Sequence, residues 1–386
     1  MSTIRVSNIK NESTSNGGIS VDSSGHVTVD GQQMPTAGAL TGRRLNINGA
    51  MQVSQRGTVN IAHDDAITSP YTLDRWRNIH ANLDSYDCTV TQDSDAPSGF
   101  AKSLKVTTGT TESAVDADDI LYFSYLFEGQ DVQMLQNGTA GAKKVTVSFY
   151  VKTSQPGTYV VNLYKINATS RTISKTYTIT TTDWEYVELT FDGDTAGGGI
   201  NNDTSEGFRV SWVLIAGSDW TSTDSTSWID FVTTAWAYGH TQNGMATNAS
   251  ATWQLSGVQV EVGEKATSFE HRSFGDELAR CQRYYIDSRD GKPSSQFFIG
   301  QAINSSRIAA SVSFTQPMRA NPSATIYSPV SETAGSVALY NNTSVDVGSG
   351  FVGTTARFNG FYYVYGGSGL TTGLYYAFKY SADAEV

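Results

Sequence analysis

The sequence predicts an all-β protein built around a sandwich. Apolar segments of strand length recur, helical periodicity is nearly absent, and turn residues separate the segments. Val145–Val151 (VTVSFYV), Tyr159–Tyr164 (YVVNLY), Thr176–Thr180 (TYTIT) and Trp184–Phe191 (WEYVELTF) each alternate or run apolar over a strand's length. Gln155-Pro156-Gly157 and Asp192-Gly193-Asp194 are turn signals between them. Short strands at this spacing indicate a sandwich.

Taken in order, the first 60 residues differ from the rest. Ile19-Ser20-Val21, Val27-Thr28-Val29 and Leu45-Asn46-Ile47 read as very short strands between the turns Asn16-Gly17-Gly18, Asp30-Gly31 and Asn48-Gly49. With no aromatic residue to anchor a core, this stretch cannot offset its own ordering entropy. The expectation is that neighbouring chains or a partner order it. Further on, Ser273–Tyr285 places Phe274, Leu278, Cys281 and Tyr285 at helical spacing. Ser273 can cap this helix, Asp276 and Glu277 fall in its first turn, and Arg280 and Arg283 come later, which suits the macrodipole. It reads as a junction helix between two β-domains. Beyond it, Gln296–Gly300, Arg307–Phe314, Ala324–Ser328 and Leu374–Tyr380 read again as strands.

Composition narrows the function classes. The 386 residues suffice for two to four domains. Charged residues are only 16%, so Ser, Thr, Asn and Gly must supply the polar surface, and 11% aromatics are too many for a disordered chain. These values exclude a coiled coil and a histone-like basic protein. No apolar run approaches the ~20 residues of a membrane helix, so membrane insertion is not expected. Residues 1–60 carry 5 Lys+Arg against 3 Asp+Glu, residues 61–272 carry 13 against 26, and residues 273–386 carry 8 against 8. The acidic middle would repel phosphate backbones, so nucleic acid is not an expected partner. Cys88 and Cys281 lie far apart with no CxxC or Cys/His cluster, which argues against a zinc site and a disulfide framework. No metal and no cofactor is expected. The opening MSTIRVSNIKNEST has no apolar h-region, so synthesis in a reducing cytoplasm without a secretory signal is the expectation.

A resemblance runs through three regions. Its most specific part is Trp253–Gly263 (WQLSGVQVEVG), then Ala266–Ser273 (ATSFEHRS), then Glu277–Tyr285 (ELARCQRYY). This junction resembles one recurrent in tail-fibre and tail-associated proteins of marine bacteriophages, including cyanophages. Ser2–Val6 with Asn8-Ile9 resembles their virion-attachment segments. Met318–Pro322 and Ala382–Val386 resemble the C-terminal domains that follow the junction.

The resemblance implies an N-terminal attachment segment (1–60) and a carbohydrate-binding-module-like jelly roll (61–272). A junction helix (273–290) and a C-terminal β-sandwich (291–386) follow. Within the jelly roll, Leu73–Trp76, Val145–Val151, Trp184–Tyr186 and Trp253 match the order of such modules. Where these modules often carry a calcium-ligating Asp in the last strand, this chain has Ser256-Gly257.

All seven tryptophans lie between residues 76 and 253. Trp76, Trp184, Trp212 and Trp253 sit beside Val or Leu and read as core. Trp220, Trp228 and Trp236, with Tyr238, fall in a polar insertion. They could form a sugar platform, pack between chains, or cover the sandwich edge. In the C-terminal region, alternation would send Phe361 and Tyr363 inward and leave Tyr362 out. Tyr362 and Tyr376 could form a distal receptor patch or belong to an aromatic core. Leu278, Cys281 and Tyr285 form a stripe that could pack against its own copies around an axis.

Enzyme readings are weaker. Asp118-Asp119 and Asp192/Asp194 could supply paired carboxylates, but acidic pairs in loops are common and neighbours on a strand diverge. The five histidines form no HxxxH or HExxH spacing, and His63-Asp64-Asp65 has no nucleophile motif beside it. Gly197-Gly198-Gly199 does not join a strand to a helix, so it is not a phosphate cradle. Sequons such as Asn137-Gly138-Thr139 and Asn167-Ala168-Thr169 arise by chance in such a composition.

The expectation is a non-enzymatic virion protein, a tail fibre or receptor-binding appendage. It would dock on other virion proteins through residues 1–60, form a homotrimer, and adsorb to host cell-surface glycans. The alternatives are a purely structural tail or capsid module without glycan binding and, more distantly, a glycan depolymerase.

Overall fold

The computed structural model describes residues 8–10, 18–21, 27–29, 32–33, 42–62, 70–166, 169–289, 297–350, 353–354 and 356–386. His63-Asp64-Asp65 lies outside the described residues. The chain divides into two compact units. The first takes in residues 1–52, 60–70 and 76–272, and the second residues 53–59, 71–75 and 273–386.

This division differs from boundaries at 60/61 and 290/291. Residues 42–52 belong to the first unit, where Asn46, Asn48, Ala50 and Met51 are buried. No strand forms at Leu45-Asn46-Ile47. Instead the Asn46 side chain does a strand's work. Its Nδ2 donates to Val258 O (2.9 Å), and its Oδ1 accepts from Val260 N (2.9 Å). Ahead of this, β1 (Asn8–Lys10), β2 (Gly18–Val21), β3 (Val27–Val29) and β4 (Gln32–Gln33) form a small antiparallel meander.

Twelve strands build the first unit's sandwich. They are β5 (Val59–Ile61), β6 (Trp76–Ala81), β7 (Cys88–Asp93), β8 (Ser103–Thr108), β9 (Ile120–Glu128), β10 (Val145–Thr153), β11 (Gly157–Lys165), β12 (Arg171–Ile179), β13 (Glu185–Phe191), β14 (Glu206–Ala216), β15 (Ile229–Asp230) and β16 (Thr252–Val262). The front sheet runs β13-β10-β16-β8-β7-β5 and the back sheet β15-β12-β11-β14-β9-β6. The fold is an all-β jelly-roll sandwich.

Between the sheets Trp212 meets Trp76 at 5.4 Å and Phe149 at 5.8 Å, and Phe123 stacks on Trp253 at 6.1 Å. Trp76, Trp212 and Trp253 are fully buried. Trp184 is not a core ring. It precedes β13, is only half-buried, and its Nε1 donates to Asp95 Oδ1 (3.0 Å). The pleat of β10 turns Val145, Val147, Phe149 and Val151 inward and leaves Tyr150 partly exposed on the front face.

The back sheet's outer face is covered by the chain's own insertion, residues 217–251, which carries α1 (Ser218–Thr221). Trp236 is buried there among Ile79, Tyr122, Val160 and Val213, with Trp220 and Phe231 packed against the cluster.

The second unit opens with α2 (Phe274–Gln282), followed by β17 (Tyr285–Asp287), β18 (Phe298–Asn304), β19 (Arg307–Ser313), β20 (Ser323–Tyr327), β21 (Val337–Leu339), β22 (Asn342–Gly348), β23 (Gly353–Thr354), β24 (Gly360–Tyr365) and β25 (Tyr375–Asp383). Its sheet runs β22-β21-β25-β18-β19-β24-β23, with β17 and β20 also paired to β25. Ser273 caps α2 by accepting from Asp276 N (3.2 Å).

The expected stripe is largely taken up within the unit. Cys281 is fully buried within the unit, Leu278 is half-buried, and Tyr285 belongs to a strand rather than the helix. The Arg56 guanidinium covers the Tyr285 ring at 3.6 Å. A buried polar cluster brings residues 53–59 and 71–75 into this unit. Gln55 donates from N and Nε2 to the Asp74 carboxylate (2.6 and 2.6 Å), Arg56 pairs with Asp383 (3.0 Å), and Arg75 pairs with Glu385.

Candidate functional site

The pleat of β10 and β13 places two tyrosines side by side on the front face. Tyr150 and Tyr186 are register partners with ring centroids 5.1 Å apart, and Tyr186 is 50% exposed. From Tyr150 the rings continue to Phe100 (5.6 Å), from Phe100 to Phe269 (4.9 Å), and from Phe269 to His271 (4.8 Å). This aromatic line borders a groove of about 520 Å³ whose remaining lining is Ser98, Gly99, Ser148, Gly257 and the 266–268 segment.

Gly257 makes the close approach of these rings possible. The β10/β16 register slips between Ser148 and Tyr150, so β16 carries one extra residue there, and Gly257 takes φ +60°. A Cβ at this position would lie 2.7 Å from Phe100 Cζ and 3.0 Å from Tyr150 Cδ2. Bulges of this kind re-aim neighbouring side chains, and only glycine adopts the conformation freely.

Two polar devices hold the walls. Glu261, buried on β16, accepts from Thr267 N (2.8 Å) and Thr267 Oγ1 (2.7 Å). Gln259 Oε1 accepts from Glu270 N (2.8 Å), and Glu188 accepts from Ala266 N (2.8 Å). Together they pin the segment bearing Phe269 and His271 to the sheet. On the Phe100 side, Asp95 accepts from Lys152 Nζ (2.8 Å) and Trp184 Nε1 (3.0 Å). The Lys152 bond, then the Trp184 bond, holds its carboxyl below the usual range. The rings are therefore preset against the sheet.

The expected glycan residues are placed elsewhere. Trp236 and Tyr376 present no ring to a ligand. The first is 3% exposed beneath the insertion and the second 2% exposed in the second unit's core. Trp220 and Trp228 are half-buried, with Nε1 groups donating to Asp118 O (2.9 Å) and Asp192 O (2.6 Å); Tyr238 is also half-buried. Tyr362 is exposed at 58%. Tyr363, expected inward, is 39% exposed, because Phe361 and Val364 are the buried residues of β24. The opposing strand slips register between Ala309 and Val312, which breaks strict alternation.

The acidic pairs have structural work. Asp194 is buried in an ion triad with Lys165 Nζ (2.8 Å) and Arg171 Nε (3.0 Å). Lys165 also donates to Ala196 O (2.9 Å) and Gly198 O (2.8 Å), so the glycine run wraps an ammonium with its carbonyls. Asp119 accepts from Asp116 N (2.8 Å), and burial lifts its carboxyl to about 6. Among the described residues, no group of three His, Cys, Asp or Glu side chains could hold a metal ion.

No family model and no curated protein matches this chain. Solved structures with some likeness are carbohydrate-binding modules. The family 11 module of the cellulosomal cellulase Lic26A-Cel5E of Clostridium thermocellum is 11% identical, with 56% of this chain and 98% of that one covered, at a TM-score of 0.28. The CBM22-1 xylan-binding domain of Paenibacillus barcinonensis Xyn10C is 11% identical over 60% and 100% of the two chains, at 0.27. A CBM61 module in complex with β-1,4-galactotriose is 10% identical over 57% and 99%, at 0.26. Similarity this low transfers no ligand, and the groove has to be read from its own chemistry.

Proposed function

We propose that the chain is a non-catalytic, glycan-binding virion protein of a bacteriophage, a tail-fibre or receptor-binding component, whose front-sheet groove takes a neutral glycan. One observation carries the glycan half. An unbroken line of rings, Tyr186–Tyr150–Phe100–Phe269, borders a groove otherwise lined by small and hydroxyl-bearing residues, with no Asp, Glu, Lys or Arg in the lining. Ring faces suit the C–H surface of a sugar, and hydroxyls suit its hydroxyls. Glycoside hydrolysis needs two carboxyl groups flanking the bond, and none lines this groove.

The virion half is supported by the junction residues Trp253–Gly263, Ala266–Ser273 and Glu277–Tyr285, which resemble those of tail-associated phage proteins. Attachment would use the N-terminal segment, within residues 1–60. Copies linked as a homotrimer would raise weak single-site binding by ~10²–10⁴ in avidity.

Affinity electrophoresis of the full chain through neutral β-glucan, xylan, galactan and mannan tests the groove. Retention by at least one polymer is expected, weakened about tenfold in Tyr150→Ala, the loss of one stacking contact. Failure of every neutral polymer to retain the protein would overturn the glycan half. Immunogold labelling of phage particles tests the rest; label confined to the tail or its appendages is expected, and unlabelled particles would overturn it.

A further inference from the structure

The second unit carries another aromatic surface, on the outer face of its sheet. Register places Tyr375 of β25 opposite Gln301 of β18, Gln301 opposite Ala309 of β19, and Ala309 opposite Tyr363 of β24. In the next row Arg307 lies opposite Tyr365. Tyr375, Tyr363 and Tyr365 are 53%, 39% and 38% exposed. At about 4.8 Å per strand, Tyr375 and Tyr363 stand about 14 Å apart across Gln301 and Ala309, with Ile299, 42% exposed, two positions from Gln301 on the same face of β18.

The charge on this face points to one kind of occupant. Arg307 is exposed, touches the Tyr363 ring at 5.7 Å, and has no carboxylate partner among the described residues. Of the unit's other described carboxylates, Glu277 is buried, Asp74 accepts from Gln55, and the rest have partners of their own. Asp276 pairs with Arg280, Asp287 with Arg289, Glu332 with Lys379, and Asp383 and Glu385 with Arg56. Asp346 accepts from Ser331 Oγ (2.6 Å). Residues 273–386 carry 8 Lys+Arg against 8 Asp+Glu, whereas residues 61–272 carry 13 against 26. A polyanion would be repelled by the acidic stretch and tolerated here.

We infer that this face is a second, separate ligand site, and that its ligand is an anionic polysaccharide. Sugar faces stack on Tyr363, Tyr365 and Tyr375, while a carboxylate or sulfate meets the Arg307 guanidinium. The tyrosine hydroxyls and Gln301 can hydrogen-bond a sugar's hydroxyls.

The test is affinity electrophoresis of the full chain in polygalacturonate, in dextran sulfate and in a neutral β-glucan. Retention in a polyanion gel at low salt is expected, lost at high salt. It should weaken about tenfold in Arg307→Gln, the value of one charge-assisted hydrogen bond. Tyr363→Ala should weaken it as well. The two polyanions distinguish carboxylate from sulfate. Tyr150→Ala in the front-sheet groove should leave polyanion retention unchanged, so the two sites fail independently. No retention in either polyanion, or retention indifferent to Arg307→Gln, would overturn the inference. So would sedimentation showing self-association that Tyr363→Ala abolishes, which would make the face an interface between copies.

Discussion

The two outer faces of the sandwich both carry large rings, but one is covered and the other open. The back sheet gathers Trp236, Trp220 and Phe231 onto an apolar surface and closes over it with residues 217–251. The front sheet leaves Tyr150, Tyr186 and Phe100 beside an open groove. The lesson is that the number of large rings does not mark a binding face. What sets the front face apart is an aromatic residue at an outward position of the pleat that no other segment covers.

The largest expected effect falls on the covered face. Trp236→Ala removes a ring that packs against Tyr122 at 5.1 Å and Tyr164 at 5.3 Å. It should cost about 3–5 kcal/mol, read by denaturant unfolding, while the folded fraction keeps its glycan retention. Lost retention at unchanged stability would turn the comparison around.

A second effect concerns pH. His240, within the insertion, is buried with its Nε2 donating to Leu214 O (3.2 Å), and burial lowers its pKa to about 4 from 6.5. Between those values the unfolded chain binds the proton and the folded one does not. Stability present above pH 6.5 is therefore lost as the pH falls towards 4, by up to about 3 kcal/mol. Asp119, raised to about 6, works in the opposite direction. The reading is therefore the difference between the wild-type chain and His240→Phe, whose acid loss should be smaller by that amount. Equal acid sensitivity in both proteins would show that His240 is not held neutral.

Gly257→Ala sharpens the comparison from the open side. The left-handed φ alone should cost about 1–2 kcal/mol. The added Cβ should displace Phe100 and Tyr150, so glycan retention falls further than unfolding accounts for. Retention preserved in this variant would separate the groove from binding.

Much of this was legible in the sequence. VTVSFYV and EYVELTF fall in β10 and β13, and the same alternation that buries Phe149 turns Tyr150 out. The groove was not legible, because it depends on β10 pairing with β13 and on loops from residues 94–102 and 263–272 meeting at Gly257. Those are long-range contacts with no local pattern. The insertion misled for a physical reason. Its polar sequence hides how Trp236 folds back onto Tyr122 and Val160, partners more than 70 positions away in sequence. Asn46 and the Arg56–Asp74–Arg75 cluster were equally hidden, since side-chain hydrogen bonds leave no periodicity.

The most direct measurement compares two double variants of the full chain in a neutral polysaccharide gel, each with its melting temperature. The account predicts that Tyr150→Ala with Tyr186→Ala abolishes retention while the melting temperature falls little, because both rings are partly exposed. It predicts that Trp220→Ala with Trp228→Ala lowers the melting temperature and leaves the retention of folded protein intact. Retention that survives the tyrosine pair and disappears with the tryptophan pair would contradict it.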